Sequence, residues 1–311
     1  MIEFNHLTKL YGSVIGVNDL CLEMEPGAYG LVGPNGSGKT TLINLLTGQL
    51  KPTLGGLKVF GQDPWKDRRL LRRIGLCPAT DVLYPNVSAK QWVSYLVSLH
   101  GFDAAESERL AVESLEIVGM ESRMHRPMGE YSLGMRQRAK IAQSIAHQPE
   151  LIILDEPYNG LDPVGRQQMT QVLKDWVARG KSLIFASHVL HEIEAITSSF
   201  LLVFGGRLLA SGTSAQLESF VAEAPQEVTL VGEGVASILT ELAQQDWVDS
   251  VQLMNHRTQL RIALRDPAAF YGFLPNWIAK HSIQVEQLQA SEGNLTAIFE
   301  ALLKYHRGDV S

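Results

Sequence analysis

Residues 31–41 form a glycine-rich stretch that follows a short apolar run and precedes an amphipathic segment. From Gly33 to Thr40 the sequence matches the pattern G-x-x-x-x-G-K-[ST] in full. Because glycines lack a Cβ atom, the backbone of such a loop can turn its N–H groups inward around a polyphosphate. Lys39 would then reach the β- and γ-phosphates, and the Thr40 hydroxyl would reach Mg²⁺. The stretch therefore predicts a strand, a phosphate-binding turn and a helix, and a chain that binds a nucleotide.

The composition is that of an ordinary globular protein. The 311 residues suggest two domains, and 45% hydrophobic with 19% charged residues argues against disorder. A net charge of −6 gives no broad attraction to nucleic acid. The longest apolar run, residues 200–204, is far shorter than the roughly 20 residues that span a bilayer, and the N-terminus lacks the features of a signal peptide. Cys21 and Cys77 have no metal-ligand spacing, which suits a reducing cytoplasm and predicts that both are packing residues.

The segments before and after the loop read as short strands and turns. Residues 2–4 and 19–24 are predicted strands, and Tyr11 lies in the loop between them, where it is a candidate to stack on a base. Further predicted elements are a strand at 56–60, a basic helical stretch at 66–73, a strand at 74–78 and a helical block from 88 to 118.

Two later stretches carry polar groups at positions typical of anion and metal chemistry. Ser132 is placed to cap a helix that extends to residue 147, which leaves its hydroxyl and the Gly134 N–H available to an anion. Residues 151–154 form a buried-strand pattern that ends in Asp155 and Glu156. Asp155 at the end of a strand suits Mg²⁺ contact, and Glu156 suits orienting or deprotonating an attacking water.

Taken in order, these motifs closely resemble those of the nucleotide-binding subunits of ATP-binding cassette transporters, over about residues 1–220. Tyr11 matches the family's adenine-stacking aromatic, residues 33–40 its Walker A loop, and Asp155 with Glu156 its Walker B aspartate and catalytic glutamate. Residues 131–135 resemble a variant of the family signature. Residues 159–162 resemble the D-loop, and Ser187-His188 resembles the segment that contains the switch histidine.

The resemblance implies an α/β fold: a P-loop NTPase cassette with a mixed sheet and a helical subdomain, followed by a small α+β ferredoxin-like domain. The implied boundaries are 1–221 for the nucleotide-binding domain, about 86–147 for its helical subdomain, and 226–311 for the accessory domain. The last domain reads as a βαββαβ unit with a final helix at 295–305, after a closing helix at 213–221 and a linker at 222–225.

The resemblance also implies a site for ATP and Mg²⁺. Its catalytic residues would be Glu156 and His188, and its metal ligands Thr40 and Asp155. The nucleotide-binding residues would be Tyr11, Gly33, Pro34, Asn35, Gly36, Ser37, Gly38, Lys39, Thr40, Thr41, Ser132, Gly134 and Asp162. Ala79 departs from the family, which has a glutamine there that contacts Mg²⁺ and the attacking water.

The implied function is an ATP-hydrolysing subunit that energises export through a separate membrane permease. It would sit at the cytoplasmic face of the membrane as a peripheral protein, paired with a second copy or a paralogous subunit, with no nucleic-acid partner. The permease would dock at the helical block beside the Ala79 loop. Two alternatives stay open: a regulatory subunit that binds ATP but hydrolyses it weakly, and a soluble cassette ATPase without a transport role.

Overall fold

The structure is a computed structural model that describes residues 1–81, 84–213, 216, 226–254, 258–281 and 283–290. The chain divides into two compact units, Met1–Thr213 and Ser214–Ser311. The predicted boundary near residues 221–226, the closing helix (apart from residues 213 and 216), the linker and the final helix at 295–305 fall outside the described residues.

The first unit alternates strands and helices around the phosphate loop. Its elements are β1 (Ile2–Tyr11), β2 (Val14–Met24), β3 (Ala28–Val32), α1 (Lys39–Leu46), β4 (Leu54–Val59), a 3₁₀ helix (Arg68–Arg73), β5 (Ile74–Cys77), α2 (Ala89–Leu99), α3 (Ala104–Ile117), a 3₁₀ turn (Met128–Glu130), α4 (Leu133–Ala146), β6 (Leu151–Asp155), α5 (Pro163–Ala178), β7 (Ser182–Ser187), α6 (Leu190–Glu194), β8 (Ser199–Phe204) and β9 (Arg207–Thr213).

A six-stranded sheet with the order β5-β6-β7-β3-β8-β9 forms the centre of this unit. All neighbouring pairs are parallel except β8 and β9, so the sheet is mixed, as predicted. Every residue of β6 and β7 is buried, which explains their uninterrupted apolar sequences. Because parallel strands end at the same edge, the loops after β3, β6 and β7 lie together, and the site is built there.

A second, antiparallel sheet with the order β2-β1-β4 was predicted only in part. β1 and β2 are longer than the predicted segments, and Tyr11 is the last residue of β1 rather than a loop residue. The β1–β2 pairing contains register shifts, and His6 and Asp19 there have φ of 48° and 49°. Such bulges interrupt the two-residue alternation by which a strand is recognised in a sequence.

The cysteines differ in their surroundings. Cys77 is completely buried in β5, as predicted, whereas Cys21 is exposed, so the prediction that it packs in the core was wrong. Cys21 lies opposite the bulge at His6, whose backbone N–H approaches the Cys21 Sγ to 3.3 Å. The reversal of side-chain direction at a bulge is what the sequence pattern did not reveal.

The second unit has the predicted βαββαβ order. Its elements are β10 (Gln226–Glu233), a 3₁₀ turn (Val235–Ile238) that continues into α7 (Leu239–Ala243), β11 (Val248–Met254), β12 (Gln259–Leu264), α8 (Pro267–His281) and β13 (Gln284–Ala290). The strands form an antiparallel sheet in the order β11-β12-β10-β13. Its core includes Leu230, Ile262, Phe270 and Trp277. None of the helices in the described part of the chain combines the length and apolar character needed to cross a bilayer.

Candidate functional site

The phosphate loop connects β3 to α1. Gly38 caps α1 in a left-handed conformation, with φ of 110°, and its carbonyl accepts the first helical hydrogen bond, from Leu42 N at 2.9 Å. A non-glycine residue would be strained there, and its Cβ would overlap the Gly16 carbonyl oxygen. The loop is closed by hydrogen bonds from Ser37 N to Pro34 O (3.1 Å) and from Gly206 N to Ser37 O (2.8 Å). The sequence therefore folds into a tight turn that directs the start of α1 toward the loop.

The interior of the loop has a free polar group. A Cβ at Gly33 would overlap the Val203 carbonyl and the Ser37 hydroxyl, so only glycine fits there. Ser37 Oγ is buried and has no hydrogen-bond partner among the described residues. A buried hydroxyl normally has a partner, so this group fits a ligand atom bound inside the loop.

Lys39 is the first residue of α1, and its side chain is only 6% exposed. Its Nζ donates to the loop carbonyls of Gly33 (2.5 Å) and Pro34 (3.3 Å) and lies 3.8 Å from Glu156 Oε1. Burial lowers the pKa of Lys39, and the neighbouring carboxylates oppose this. A buried ammonium at the mouth of a phosphate loop is suited to a polyphosphate, whose charge would compensate for its desolvation.

The Thr40 hydroxyl donates to Asp155 Oδ2 at 2.9 Å, which joins the start of α1 to the end of β6. Asp155 is almost completely buried, and burial raises its carboxyl pKa, an effect that the Thr40 hydrogen bond opposes. A hydroxyl and a carboxylate that meet beside the phosphate loop are hard oxygen ligands of the kind that Mg²⁺ prefers. The two residues thus fit the metal role predicted for them.

Glu156 and His188 are brought together from the ends of β6 and β7. Both Glu156 carboxylate oxygens lie 3.0 Å from His188 Nδ1, and the Ser187 hydroxyl lies 3.5 Å from Oε2. The Glu156 side chain is 13% exposed and that of His188 48%. Glu156 has a φ of 49°, and its N–H donates to Ala186 O at 2.9 Å. Left-handed backbone at a charged residue is uncommon, and such strain is concentrated at functional sites.

The edge of the site contains Tyr11 and Thr41. The Tyr11 hydroxyl lies 3.5 Å from Thr41 Oγ1, and its ring packs against Gly16, where a Cβ would be 2.8 Å from Tyr11 Cε2. Lys9 Nζ lies 5.4 Å from the ring centroid. Tyr11 is 45% exposed, so its ring has a free face beside the phosphate loop. This position fits the predicted stacking role.

Ser132, Gly134 and Asp162 lie together in a different place. The Ser132 side chain caps α4 by accepting from Met135 N at 3.2 Å, and the Asp162 side chain caps α5 by accepting from Gly165 N at 2.8 Å. A Cβ at Gly134 would lie 2.9 Å from Gly160 O, so the start of α4 packs on the 159–162 loop. Gly134 thus connects the two segments, while Ser132 and Asp162 cap their own helices, and none of the contacts described for these three residues reaches the phosphate loop of the same chain.

Several site features had no sequence prediction. The Ser187 hydroxyl donates to Glu192 Oε2 at 2.9 Å, and Glu192 pairs with Arg166 of α5 at 3.0 Å. In the Ala79 loop, Lys140 Nζ donates to Pro78 O at 3.0 Å, and Arg136 Nε donates to Asp81 Oδ2 at 2.7 Å. Ser187 and Glu192 are five residues apart, but the partners in the other three pairs are at least 26 residues apart in the sequence and give no local pattern.

The comparisons with known proteins agree on one family. The family model described as "ABC transporter" matches residues 17–159. The bacitracin transport ATP-binding protein of Bacillus licheniformis is 38% identical over 215 residues, which are 67% of this chain and 68% of that protein. The lantibiotic transport ATP-binding protein of Streptococcus pyogenes is 34% identical over 67% of this chain and 89% of its own length.

Solved structures show the same fold. An ATP-binding cassette solved as a dimer bound to ADP and phosphate superposes with a TM-score of 0.64 at 22% identity, over 68% of this chain and 98% of its own. The ATP-binding subunit of an ABC transporter gives the same TM-score at 26% identity, over 70% of this chain and 92% of its own.

Proposed function

We propose that this chain, which belongs to the ABC transporter family, is the ATP-hydrolysing subunit that energises export through a separate membrane permease. The main support for this function is that three groups of side chains lie together at one edge of the six-stranded sheet. They are Lys39, the Thr40–Asp155 pair and the Glu156–His188 pair. A relative from Burkholderia orbicola named for Nod factor export, 32% identical over 68% of this chain and 70% of that protein, supports the export direction.

The phosphate loop would bind the triphosphate of ATP. Backbone N–H groups of the loop would provide donors, apart from Pro34, which has none, and Ser37, whose N–H donates to Pro34 O. The start of α1 would add its own N–H groups and the positive end of the helix dipole. Lys39 would exchange its contacts with the Gly33 and Pro34 carbonyls for phosphate oxygens, and the Ser37 hydroxyl would gain a partner. Tyr11 would stack on the adenine with its exposed face.

The chemical step would depend on Glu156 and His188. A water held by the Glu156 carboxylate would attack the γ-phosphate, and Glu156 would orient it or accept its proton. His188 would hold the carboxylate in place through the contact at Nδ1, while Ser187 and Glu192 hold the end of β7. The left-handed backbone of Glu156 and its hydrogen bond to Ala186 O would hold the carboxylate at the end of β6.

Mg²⁺ would be held by Thr40 and Asp155. When bound, the ion would neutralise charge on the phosphate oxygens during transfer. The fit rests on two hard oxygen groups 2.9 Å apart beside the loop.

Two chains would be needed for a complete site. None of the contacts described for Ser132, Gly134 and Asp162 reaches the phosphate loop of the same chain. We therefore assign these residues to the nucleotide of a second cassette, a copy of this chain or a paralogue. There the start of α4 would present Ser132 and the Gly134 N–H to the γ-phosphate.

The permease would dock beside α2 and the Ala79 loop, which would place the chain at the cytoplasmic face of the membrane. A cavity of about 400 Å³ lies here, lined by residues that include Pro78, Tyr84, Trp92 and Leu96. Tyr84, Tyr95 and Leu99 are at least half exposed and would provide apolar surface for the permease. The accessory domain at 226–311, after a nucleotide-binding domain at 1–221, would serve docking, dimerisation or regulation.

The second candidate function is that of a regulatory subunit that hydrolyses ATP weakly. It is favoured by the presence of Ala79, whose methyl group replaces the glutamine side chain of the family. Membrane fractionation and measurement of ATP turnover test both functions. We expect the chain to sediment with membranes when expressed with its native neighbours and the complex to hydrolyse ATP. Binding without turnover would favour the regulatory role, and a fully cytosolic chain associated with ribosomes or DNA would contradict the transport role.

A further inference from the structure

One face of α4 carries a row of hydrogen-bond donors that we call the α4 donor stripe: Arg136, Lys140, Gln143 and His147, the last being the residue that caps the end of the helix. The spacing of four, three and four residues places these side chains on one face. Each donates to the segment 74–81, and the partners follow in reverse order, since the helix runs against β5. His147 Nε2 lies 3.2 Å from Ile74 O, and Gln143 donates to Leu76 O.

Lys140 is the buried centre of the stripe. Its side chain is 4% exposed, and its Nζ donates to three consecutive carbonyls, those of Pro78 (3.0 Å), Ala79 (3.5 Å) and Thr80 (3.2 Å). Three N–H groups thus meet three backbone oxygens of one loop. A buried ammonium is costly unless it is compensated. Here the compensation comes from the three loop carbonyls.

Arg136 connects the same loop to the start of the helix. Its Nε donates to Asp81 Oδ2 at 2.7 Å, and its Nη1 donates to Tyr131 O at 2.7 Å. Tyr131 directly precedes Ser132, and the Arg136 N–H donates to Ser132 O at 3.0 Å. The guanidinium therefore joins a loop residue to the backbone beside the residue that caps α4.

We propose that the α4 donor stripe fixes the 78–81 loop to the Ser132 end of α4, with Lys140 and Arg136 as positioning residues that make loop and helix start move as one unit. This inference rests on the proposed function, because it gives that unit a role in ATP turnover. Loss of the Lys140 or Arg136 contacts should then displace Ser132 and Gly134, the groups assigned to the partner cassette's nucleotide.

Lys140→Met tests the positioning role. Methionine fills a similar volume without charge, but it leaves the three loop carbonyls without this donor, so we expect some loss of stability in urea. Affinity for a fluorescent ATP analogue should be unchanged, and kcat, measured where the variant is fully folded, should fall by about tenfold, the lower end of what outer-shell partners of a metal site contribute. Lys140→Arg should retain most of the activity, and Lys174→Met, at an exposed lysine of α5, should change none of these quantities. Full turnover in Lys140→Met would refute the role.

A charge exchange tests Arg136. Asp81→Arg and Arg136→Asp should each lower kcat, and the double variant should recover a large part of it, because the pair is restored with opposite polarity. If either residue affected only general stability, kcat would not recover in the double variant. A double variant as impaired as the product of the single effects would overturn the inference.

A spin label gives a readout that does not need turnover. Residues 79–81 are exposed, so a nitroxide on Thr80→Cys, in a Cys21→Ser background because Cys21 is exposed and Cys77 is buried, reports the mobility of this loop. Its spectrum should show faster motion in Lys140→Met and in Arg136→Asp than in the parent chain. If the parent hydrolysed no ATP, the proposed function would fail, and the mobility of this label would still decide the positioning role. Unchanged spectra in both variants would overturn it.

Discussion

His188 Nδ1 lies 3.0 Å from both carboxylate oxygens of Glu156, so the imidazole bridges the carboxylate symmetrically. The two residues follow neighbouring parallel strands, β6 and β7, and their pairing is therefore fixed by the sheet. An N–H at Nδ1 would donate to the carboxylate and keep it an acceptor for a water proton. In the proposed mechanism the pair would separate two roles: Glu156 would orient or deprotonate the water, and His188 would position Glu156.

Glu156→Gln should slow ATP hydrolysis while leaving ATP binding intact. A general base typically contributes about 10²- to 10⁴-fold to the chemical step, and glutamine keeps the size of the side chain without its basicity. Single-turnover rates and binding of a fluorescent ATP analogue measure the two effects separately. Glu194→Gln, at an exposed position on α6, is the matched control. Unchanged turnover in Glu156→Gln would remove this residue from the mechanism.

Lys39→Ala should weaken ATP binding itself. The Lys39 ammonium is buried at the mouth of the loop, and charge-assisted hydrogen bonds contribute about 1.5–3 kcal/mol each, so affinity should fall by tenfold or more. Equilibrium binding by fluorescence measures the loss, with Lys174→Ala as the control. Equal affinities for the parent and Lys39→Ala would mean that phosphate is bound elsewhere.

His147 should make the stability of the first unit depend on pH. Its ring stacks on that of His100 at 3.8 Å, and burial lowers its pKa from 6.5 to about 4, with the charge of His100 adding to this. The folded chain thus keeps His147 neutral while the unfolded chain protonates it below about pH 6.5. The stabilisation is complete above that pH and is lost as the pH falls toward 4, by roughly 3 kcal/mol in all.

Urea unfolding at about pH 7 and about pH 5 measures this loss in the parent and in His147→Gln. Glutamine can donate to Ile74 O but does not titrate, so the variant should lose less stability between the two conditions. His125→Gln, at an exposed histidine, should behave as the parent does. Equal losses in all three chains would show that His147 does not titrate between these conditions.

Gly75→Ala should destabilise the first unit. An added Cβ would overlap the Ser144 carbonyl of α4 and lie 3.0 Å from Pro149 Cγ, and overpacking of this kind costs about 1–3 kcal/mol. Gly56→Ala on β4 is the matched control, because a Cβ there meets no atom within 4 Å. Denaturant midpoints compare the two variants. A midpoint for Gly75→Ala equal to that of Gly56→Ala would indicate that α4 can move away from β5 without cost.

The nucleotide site could be predicted from sequence because its signals are local. The glycines and Lys39 stand within one short loop, and Asp155 and Glu156 directly follow an apolar strand. Parallel strands then bring these groups to one edge without further information. The family resemblance supplied His188, which by itself gives no signal in the sequence.

The α4 donor stripe could not be predicted in this way. Arg136 and Lys140 look like the solvated face of an amphipathic helix, and their partners in the 78–81 loop are more than 50 residues away in the sequence. Only the packing of α4 along β5 shows that Lys140 is buried. The bulges at His6 and Asp19 escaped prediction for a related reason, since register is a property of two strands and not of one.

The last prediction concerns Ala79, whose methyl group can neither accept a hydrogen bond nor approach a metal ion usefully. Asp81 is the nearest acidic residue that could take the place of the missing glutamine, but its carboxylate accepts a hydrogen bond from Arg136 Nε. We therefore expect Ala79→Gln to raise ATP hydrolysis by roughly tenfold, as outer-shell partners of metal sites do, and Asp81→Ala to act through loop position without altering the Mg²⁺ dependence.

The benefit of a glutamine at position 79 should depend on Lys140. If the ammonium holds the loop backbone, Ala79→Gln in the Lys140→Met background should gain much less than in the parent, because the new carboxamide is no longer directed at the site. Steady-state hydrolysis across a Mg²⁺ titration for the parent, the two single variants and the double variant measures this coupling. Equal gains in both backgrounds would show that the carboxamide finds its position without the α4 contacts. If Ala79→Gln raised ATP hydrolysis in neither background, contact with the permease would remain as the role of the 78–81 loop.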